Sequence, residues 1–324
     1  MKENIKLTVI TNMYPSEGDV AWRGIFVKEQ VDQLNKQFGM DVNVCHIKGA
    51  ITNGGSTLNY FKWFFLFPVY VIRKKIRLVH SHHFLCTLIS KLWPYCKVFY
   101  TVHEGELQIN SFKSKLIKLA VKLSDVVIFV NKKMYDLSTH GKKYFLPCGI
   151  NMDVFNEVDV HTARKKLGLN SEKTYILFPG SPYRKEKNAE FLIDFLKSEK
   201  KFINDRKIEV IWGGNIEYSD MNIYMSAVNM LVSFSKFESD GMVFKEAMAC
   251  NLPVITFDVG NAKIYFGDGI VGSVIDEKTS VFKEKIIYWI NAGRTKGRKK
   301  LLALGMDNMK VTKKLHDIYL NKSI

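Results

Sequence analysis

Short, wholly apolar runs recur along this chain with helical stretches between them, and that rhythm constrains the fold more than any other feature. KLTVIT (6–11), VNVCHI (42–47), IRLVHS (76–81), KVFYTVH (97–103) and DVVIFV (125–130) form a first set. TYILFPG (174–180), IEVIWG (208–213), NMLVSF (229–234) and LPVITF (252–257) form a second. A strand with one wet face alternates apolar and polar residues. Most of these runs do not, so they predict strands covered on both faces, as in a parallel sheet. IFVKEQVDQLNKQF (25–38) and SKLIKLAVKLS (114–124) read as helices; in the latter Leu116, Leu119, Ala120 and Leu123 fall at helical spacing. The alternation predicts open α/β domains. A polar stretch, NMDVFNEVDVHTARKKLGLNSEK, separates the two sets and puts a boundary near residues 150–160. The closing segment, GRKKLLALGMDNMKVTKKLHDIYLNK, reads as mostly helical.

Length and composition suit two ordinary domains. The chain has 324 residues, 47% hydrophobic and 25% charged, which is ample core material. Its net charge of +16 favours anionic partners: nucleic acid, acidic lipid or phosphorylated metabolites. The five cysteines are scattered, which argues against a disulfide framework or zinc knuckle and for a reducing cytoplasm. MKENIKLTVI does not read as a signal peptide. The greasiest run, FKWFFLFPVYVI (61–72), is too short to span a bilayer and contains Lys62 and Pro68.

In open α/β sheets ligands gather at the carboxyl ends of the strands, where helix N-termini attract phosphate. Four stretches pass that filter. The loop TNMYPSEGDVAWRG offers Gly18 and Gly24 for close backbone approach, without a full dinucleotide or Walker glycine pattern. HSHH (80–83) and VHEGE place His82, His83, His103 and Glu104 at strand ends. Metal spacing is absent there, and single histidines suit sugar hydroxyls or proton transfer. GSPYRKEKN clusters Arg184, Lys185 and Lys187 after Ser181, where phosphates would be held. In FESDGMVFKEAMACNLPVIT, Glu238 lies just beyond a strand, Gly241 permits a tight turn, and Glu246 sits about one turn into the next helix. A carboxylate there suits vicinal sugar hydroxyls, and the amides from Gly241 through Met242 to Val243 suit phosphate or the sugar. Each stretch alone also reads as an ordinary loop or solvated turn.

Taken in order, these pieces resemble the retaining glycosyltransferases of the GT-B fold, in the large family four, with a flavour of bacterial cell-surface polysaccharide and teichuronic acid enzymes. The resemblance rests on ESDGMVFKEAMACNLPVI, GSPYRKEKNAEFLI, PCGINMDVF, YPSEGDVAWRGIFVKEQVDQL, VHSHH, VFYTVHE and the closing helices, and covers nearly the whole chain. It implies two Rossmann-like parallel-sheet domains facing across a cleft: an acceptor-side domain over 1–152, a nucleotide-sugar donor domain over 153–303, and a C-terminal helix at 304–324 packing back toward the first. It implies a hexosyltransferase that moves a sugar, UDP-sugar favoured, to a glycan or lipid-linked saccharide acceptor, with retention and no cofactor or metal. His103, Glu238, Arg184 and Lys187 are the catalytic candidates. Gly24, Ser181, Arg184, Lys187, Glu238, Gly241, Met242, Val243 and Glu246 are the donor-binding candidates; Gly18, His82, His83 and Glu104 are acceptor-side.

The chain departs from the family pattern at Glu104, Ser181, Asn229, Ser239 and Asp240, and its segment between IEVIWGG and MSAVNMLV is short. Asp240 in place of an aromatic is expected to change one wall of the sugar pocket. Aromatics interleaved with lysines between Phe61 and Lys122 predict peripheral attachment to an anionic inner membrane face, with no nucleic-acid module in view. The alternatives are a sugar-nucleotide epimerase of similar fold and a non-catalytic membrane- or nucleic-acid-binding scaffold.

Overall fold

The computed structural model describes residues 6–15, 23–48, 57–93, 95–103 and 111–322. It divides the chain into two compact units, one of residues 1–149 with 308–324, the other of residues 150–307.

Unit 1 carries a six-stranded sheet: β1 (Lys6–Thr11), β2 (Asp41–His46), β3 (Leu78–Ser81), β4 (Lys97–Val102), β5 (Val126–Phe129) and β6 (Lys143–Phe145). The order is β2-β1-β3-β4-β5-β6, and every pairing is parallel. The unbroken apolarity of the strands follows from this. On β1, Leu7 and Val9 pack with Val27, Val31 and Leu34 of the helix Ile25–Phe38 and with Val311, Leu315 and Ile318 of the helix Asn308–Tyr319. Ile10 points the other way, to Phe67, Val71, Cys86 and Ile89. The run around Pro68 lies in a helix, Thr57–Lys74, and no helix among the described residues is long and apolar enough to cross a membrane.

Unit 2 carries β7 (Thr174–Phe178), β8 (Ile208–Trp212), β9 (Met230–Ser233), β10 (Val254–Thr256) and β11 (Gly272–Val274), all parallel, in the order β11-β10-β9-β7-β8. Tyr175 and Leu177 face one core with Phe244 and Met248. Ile176 and Phe178 face the other, with Leu192, Phe195, Phe282 and Trp289. The polar stretch between the strand sets contains a helix, Val160–Leu167, tied down by buried Arg164, which donates to the Ala227 carbonyl at 2.9 Å and to Asn229 Oδ1 at 2.9 Å. β6 and β11 add two strands to the nine that the apolar runs predict.

Candidate functional site

Both sheets reverse their strand order next to their first strand: β1 lies between β2 and β3, and β7 lies between β8 and β9. Chains leaving the two diverging neighbours open a crevice at the carboxyl ends of those strands.

In unit 2 that crevice lies between β7 and β9, and the loops that leave them carry the donor candidates. Lys187, from the loop after β7, donates to Glu238 Oε1, from the loop after β9, at 2.7 Å. The Lys187 side chain lies across Gly180, where an added Cβ would stand 3.1 Å from its Cγ. Arg184 takes a different partner, Glu186, at 2.7 Å on the exposed side of the loop. A hydrogen bond from its own backbone amide, then the Arg184 guanidinium, holds the Glu186 carboxyl below its usual range.

The loop after β8 closes on the same place through two glycines that sequence reasoning passed over. A Cβ on Gly213 would stand 2.9 Å from the Pro179 backbone, and one on Gly214 would stand 2.6 Å from Ser181 Cα. A glycine pair directly after a strand was the available signal. The loop after β10 adds Gly260, packed against Glu238 and Asp240.

Gly241 caps the helix Met242–Ala249 in the left-handed region, at φ 81° and ψ 59°. A Cβ there would meet the Phe244 ring at 2.3 Å. The amide of Phe244 is spent on the Gly241 carbonyl at 3.0 Å; those of Met242 and Val243 open the first turn. Glu246 follows one turn later and is only 9% exposed.

Asp240 does not form a pocket wall. Its side chain turns into the unit, 3% exposed, where it binds Lys245 Nζ at 2.5 Å, Asn261 Nδ2 at 2.7 Å and the Tyr265 hydroxyl at 2.6 Å. The carboxylate thus knits the loop after β10 to the loop that carries Glu238 and Gly241. Asn229 is likewise structural: its Oδ1 accepts from the Tyr175 amide at 2.8 Å and from Arg164.

In unit 1 the crevice lies between β1 and β3. Gly24 caps the helix Ile25–Phe38 at φ 72°, with its Cα so near the turn after β1 that a Cβ would overlap the Met13 carbonyl carbon at 2.3 Å. Two residues on, Phe26 packs against His103 with ring centroids 4.9 Å apart. His82, at the end of β3, stacks beneath His103, its Nδ1 3.0 Å from His103 Nε2. Only 1% of His82 is exposed, so the candidate that meets a ligand directly is His103. Burial, then the neighbouring His80 and His103, holds His82 far below the ordinary histidine pKa, so it is neutral.

His80 lies deeper, its Nε2 2.7 Å from the Thr101 hydroxyl and its Nδ1 2.6 Å from that of Tyr319; burial brings it down to about 3. His83 caps the helix Phe84–Ser90, its Nδ1 accepting from the Leu85 amide at 3.3 Å. Gly18 and Glu104 lie outside the described residues. Among those described, no group of three or more His, Cys, Asp or Glu side chains is placed to hold a metal ion.

Residues 195–302 match the family model of the glycosyl transferases group 1. An alpha-monoglucosyldiacylglycerol synthase of Streptococcus pneumoniae is 23% identical over 294 residues, 80% of this chain and 64% of that protein. The chain spans 56–64% of the length of the relatives it matches. Among solved structures, sucrose-phosphate synthase of Thermosynechococcus elongatus superposes with a TM-score of 0.80 at 18% identity, covering 98% of both chains. HepE of Anabaena, solved with UDP and glucose, superposes with a TM-score of 0.69 at 13% identity, covering 96% of this chain and 98% of that one. At such identities the likeness is one of fold, and the fold is GT-B.

Proposed function

We propose that the chain, whose residues 195–302 match the model of the group 1 glycosyl transferases and which has the GT-B fold, is a retaining glycosyltransferase, moving a sugar from a nucleoside diphosphate to a glycan or lipid-linked saccharide in cell-envelope polysaccharide synthesis. The observation that carries this reading is the Lys187–Glu238 pair, held at 2.7 Å in the crevice between β7 and β9 and beside the start of the helix Met242–Ala249.

The chemistry breaks the bond from the anomeric carbon to the diphosphate and forms one to the acceptor oxygen. Negative charge grows on the departing diphosphate. The Lys187 ammonium has three donors, so it can keep Glu238 and take a phosphate oxygen at once. The amides of Met242 and Val243 add fixed dipoles that need no reorganisation. Glu246, almost enclosed, suits the ribose hydroxyls, and Glu238 the sugar. The acceptor proton passes to the leaving diphosphate, which is the internal-return form of retention. His103 is assigned to the sugar, with neutral His82 beneath it fixing the ring. Ser181 and Gly24 provide close backbone approach, and Arg184, now paired to Glu186, is a secondary phosphate contact.

A UDP-sugar is the favoured donor, because HepE, of the same fold, was solved with UDP and glucose. The membrane partner is supported by the helix Thr57–Lys74. It buries Phe67 and Val71 yet leaves a second apolar stripe in solvent, with Phe61, Phe65 and Ile72 exposed by 65%, 59% and 57%, and it carries Lys62, Arg73 and Lys74 without an acid. The relative in Streptococcus pneumoniae, an alpha-monoglucosyldiacylglycerol synthase, favours a lipid-bearing acceptor at an inner membrane face.

Calorimetric titration with UDP, GDP and a panel of their sugars tests the reading. Saturable binding of one nucleotide, weakened at least tenfold by Glu246→Ala, supports it. No binding of any member by folded protein removes these donors and returns weight to the scaffold alternative; interconversion of donor sugars without acceptor would favour the epimerase.

A further inference from the structure

Unit 1 contains an apolar cavity that the transfer chemistry does not use. It measures about 570 Å3 and opens between the helix Phe112–Leu123 and the segment 132–140. Phe129 and Met134 form a buried floor, Val121 a half-buried side, and Leu137, 65% exposed, stands at the mouth. Lys118 and Lys122 stand one helical turn apart at the rim, on a helix with four lysines and no acid. The helix Phe112–Leu123 runs back from the carboxyl end of β4 toward the amino end of β5. His140, on the opposite rim, lies with Nε2 3.0 Å from the carbonyl of Ser124, which precedes β5. The rim at Lys122 and His140 thus lies toward the amino end of β5, with the floor residue Phe129 closing that strand, and none of the lining residues is among those that carry the transfer chemistry.

A solvent-facing cavity with an apolar floor and a purely cationic helical rim selects an amphiphile with an anionic head. Its volume lies within the ~300–1,000 Å3 of small-molecule sites, room for one chain and not for a bilayer surface. We infer that it binds a long-chain carboxylate, the chain over Phe129, Met134 and Leu137 and the head group between Lys118 and Lys122. Burial of the chain sets the affinity, about fourfold per methylene. Pairing of the head with two exposed lysines sets the preference for an anion and is weakened by salt.

The test is a fluorescence titration of the full chain with cis-parinarate, an 18-carbon carboxylate, with dodecyl maltoside as a neutral-headed control. Two variants change exposed rim residues: the double substitution Lys118→Glu/Lys122→Glu, and Leu137→Asp. Each is checked for native circular dichroism. Saturable one-site binding, weakened about tenfold or more by each variant and reduced by salt, is the expected result; the neutral detergent competes poorly. Equal binding by the variants, or no saturable binding, overturns the inference. Pelleting with phosphatidylglycerol vesicles that the variants lose, without binding of free parinarate, also overturns it, because the face would then be a bilayer contact. Titration of the same samples with the nucleotide panel separates this site from the donor site. Parinarate binding without binding of any nucleotide of the panel would count against the donor-site reading alone.

Discussion

At the scale of single residues, the proposed donor site makes its sharpest demands on one cation and one glycine. Replacing Lys187 with Met keeps the stem that lies across Gly180 but removes the charge that we propose meets the diphosphate. Loss of one preorganised group of this kind lowers turnover by about 10²–10³-fold, with the fold intact by circular dichroism; unchanged kcat would remove Lys187 from the mechanism. Gly241→Ala acts on geometry instead. The residue holds φ 81°, and its new methyl would stand 2.3 Å from the Phe244 ring. A strained cap of this kind costs about 1–3 kcal/mol, read as a lowered denaturant midpoint together with weaker nucleotide binding. Full stability and affinity in that variant would contradict the assigned turn. Glu238, Glu246, Gly241 and Lys187 were all visible in the sequence, because spacing after a strand reveals which loop a residue occupies. What spacing does not reveal is where a side chain turns. Asp240 stands one residue from Gly241 and faces the interior, and Arg184 stands three from Lys187 and pairs with Glu186.

At the scale of elements, the loop before the helix Met242–Ala249 is fixed by a buried charge pair. Asp240→Ala removes the carboxylate that pairs with the fully buried Lys245 ammonium and that accepts from Asn261 and Tyr265. Breaking one half of such a pair costs about 3–5 kcal/mol, and we expect the unfolding midpoint of unit 2 to fall accordingly in a urea titration. A loss near zero would mean that Lys245 finds another route to solvent. The same scale shows why some elements escaped the sequence. The apolar runs at 6–11 and 174–180 stand out because both faces of β1 and β7 are covered. β6 is three half-buried residues at a sheet edge, with Lys143 among them, and β11 is the three residues GSV; neither is long enough to show a period. Arg294 and Arg298 lie in GRTKGRKK, a basic run whose pattern assigns them no role. In the fold they tie carbonyls together, Arg294 to Met225 and Val228 at 2.9 and 3.0 Å, Arg298 to Phe155 and Met152 at 2.8 and 3.0 Å. Nothing in a one-dimensional pattern distinguishes those roles.

At the scale of the whole molecule, the last helix and the buried histidines make unit 1 the acid-sensitive half. The helix Asn308–Tyr319 is remote in sequence from β1, yet Val311, Leu315, Ile318 and Tyr319 complete the core beneath that strand, and the Tyr319 hydroxyl meets His80 Nδ1. His80 is held at about 3 and His82 well below its usual value, both chiefly by burial. Above about pH 6.5 each is neutral whether the chain is folded or not, and their titration leaves stability unchanged. As the pH falls below that, the unfolded chain takes up protons that the native unit refuses. Stability therefore declines across the window from about 6.5 down to about 3, by about 1.4 kcal/mol per pH unit for each histidine. Calorimetric melts at pH 7.5 and 5.0 should show the unit 1 transition move down. His83, brought down to about 3 chiefly by burial, adds a third such titration. In His80→Asn, which removes one of the three, the shift between the two pH values should shrink even though the variant starts from a lower midpoint. An undiminished shift would mean that His80 is protonated in the native state or that other groups carry the acid response.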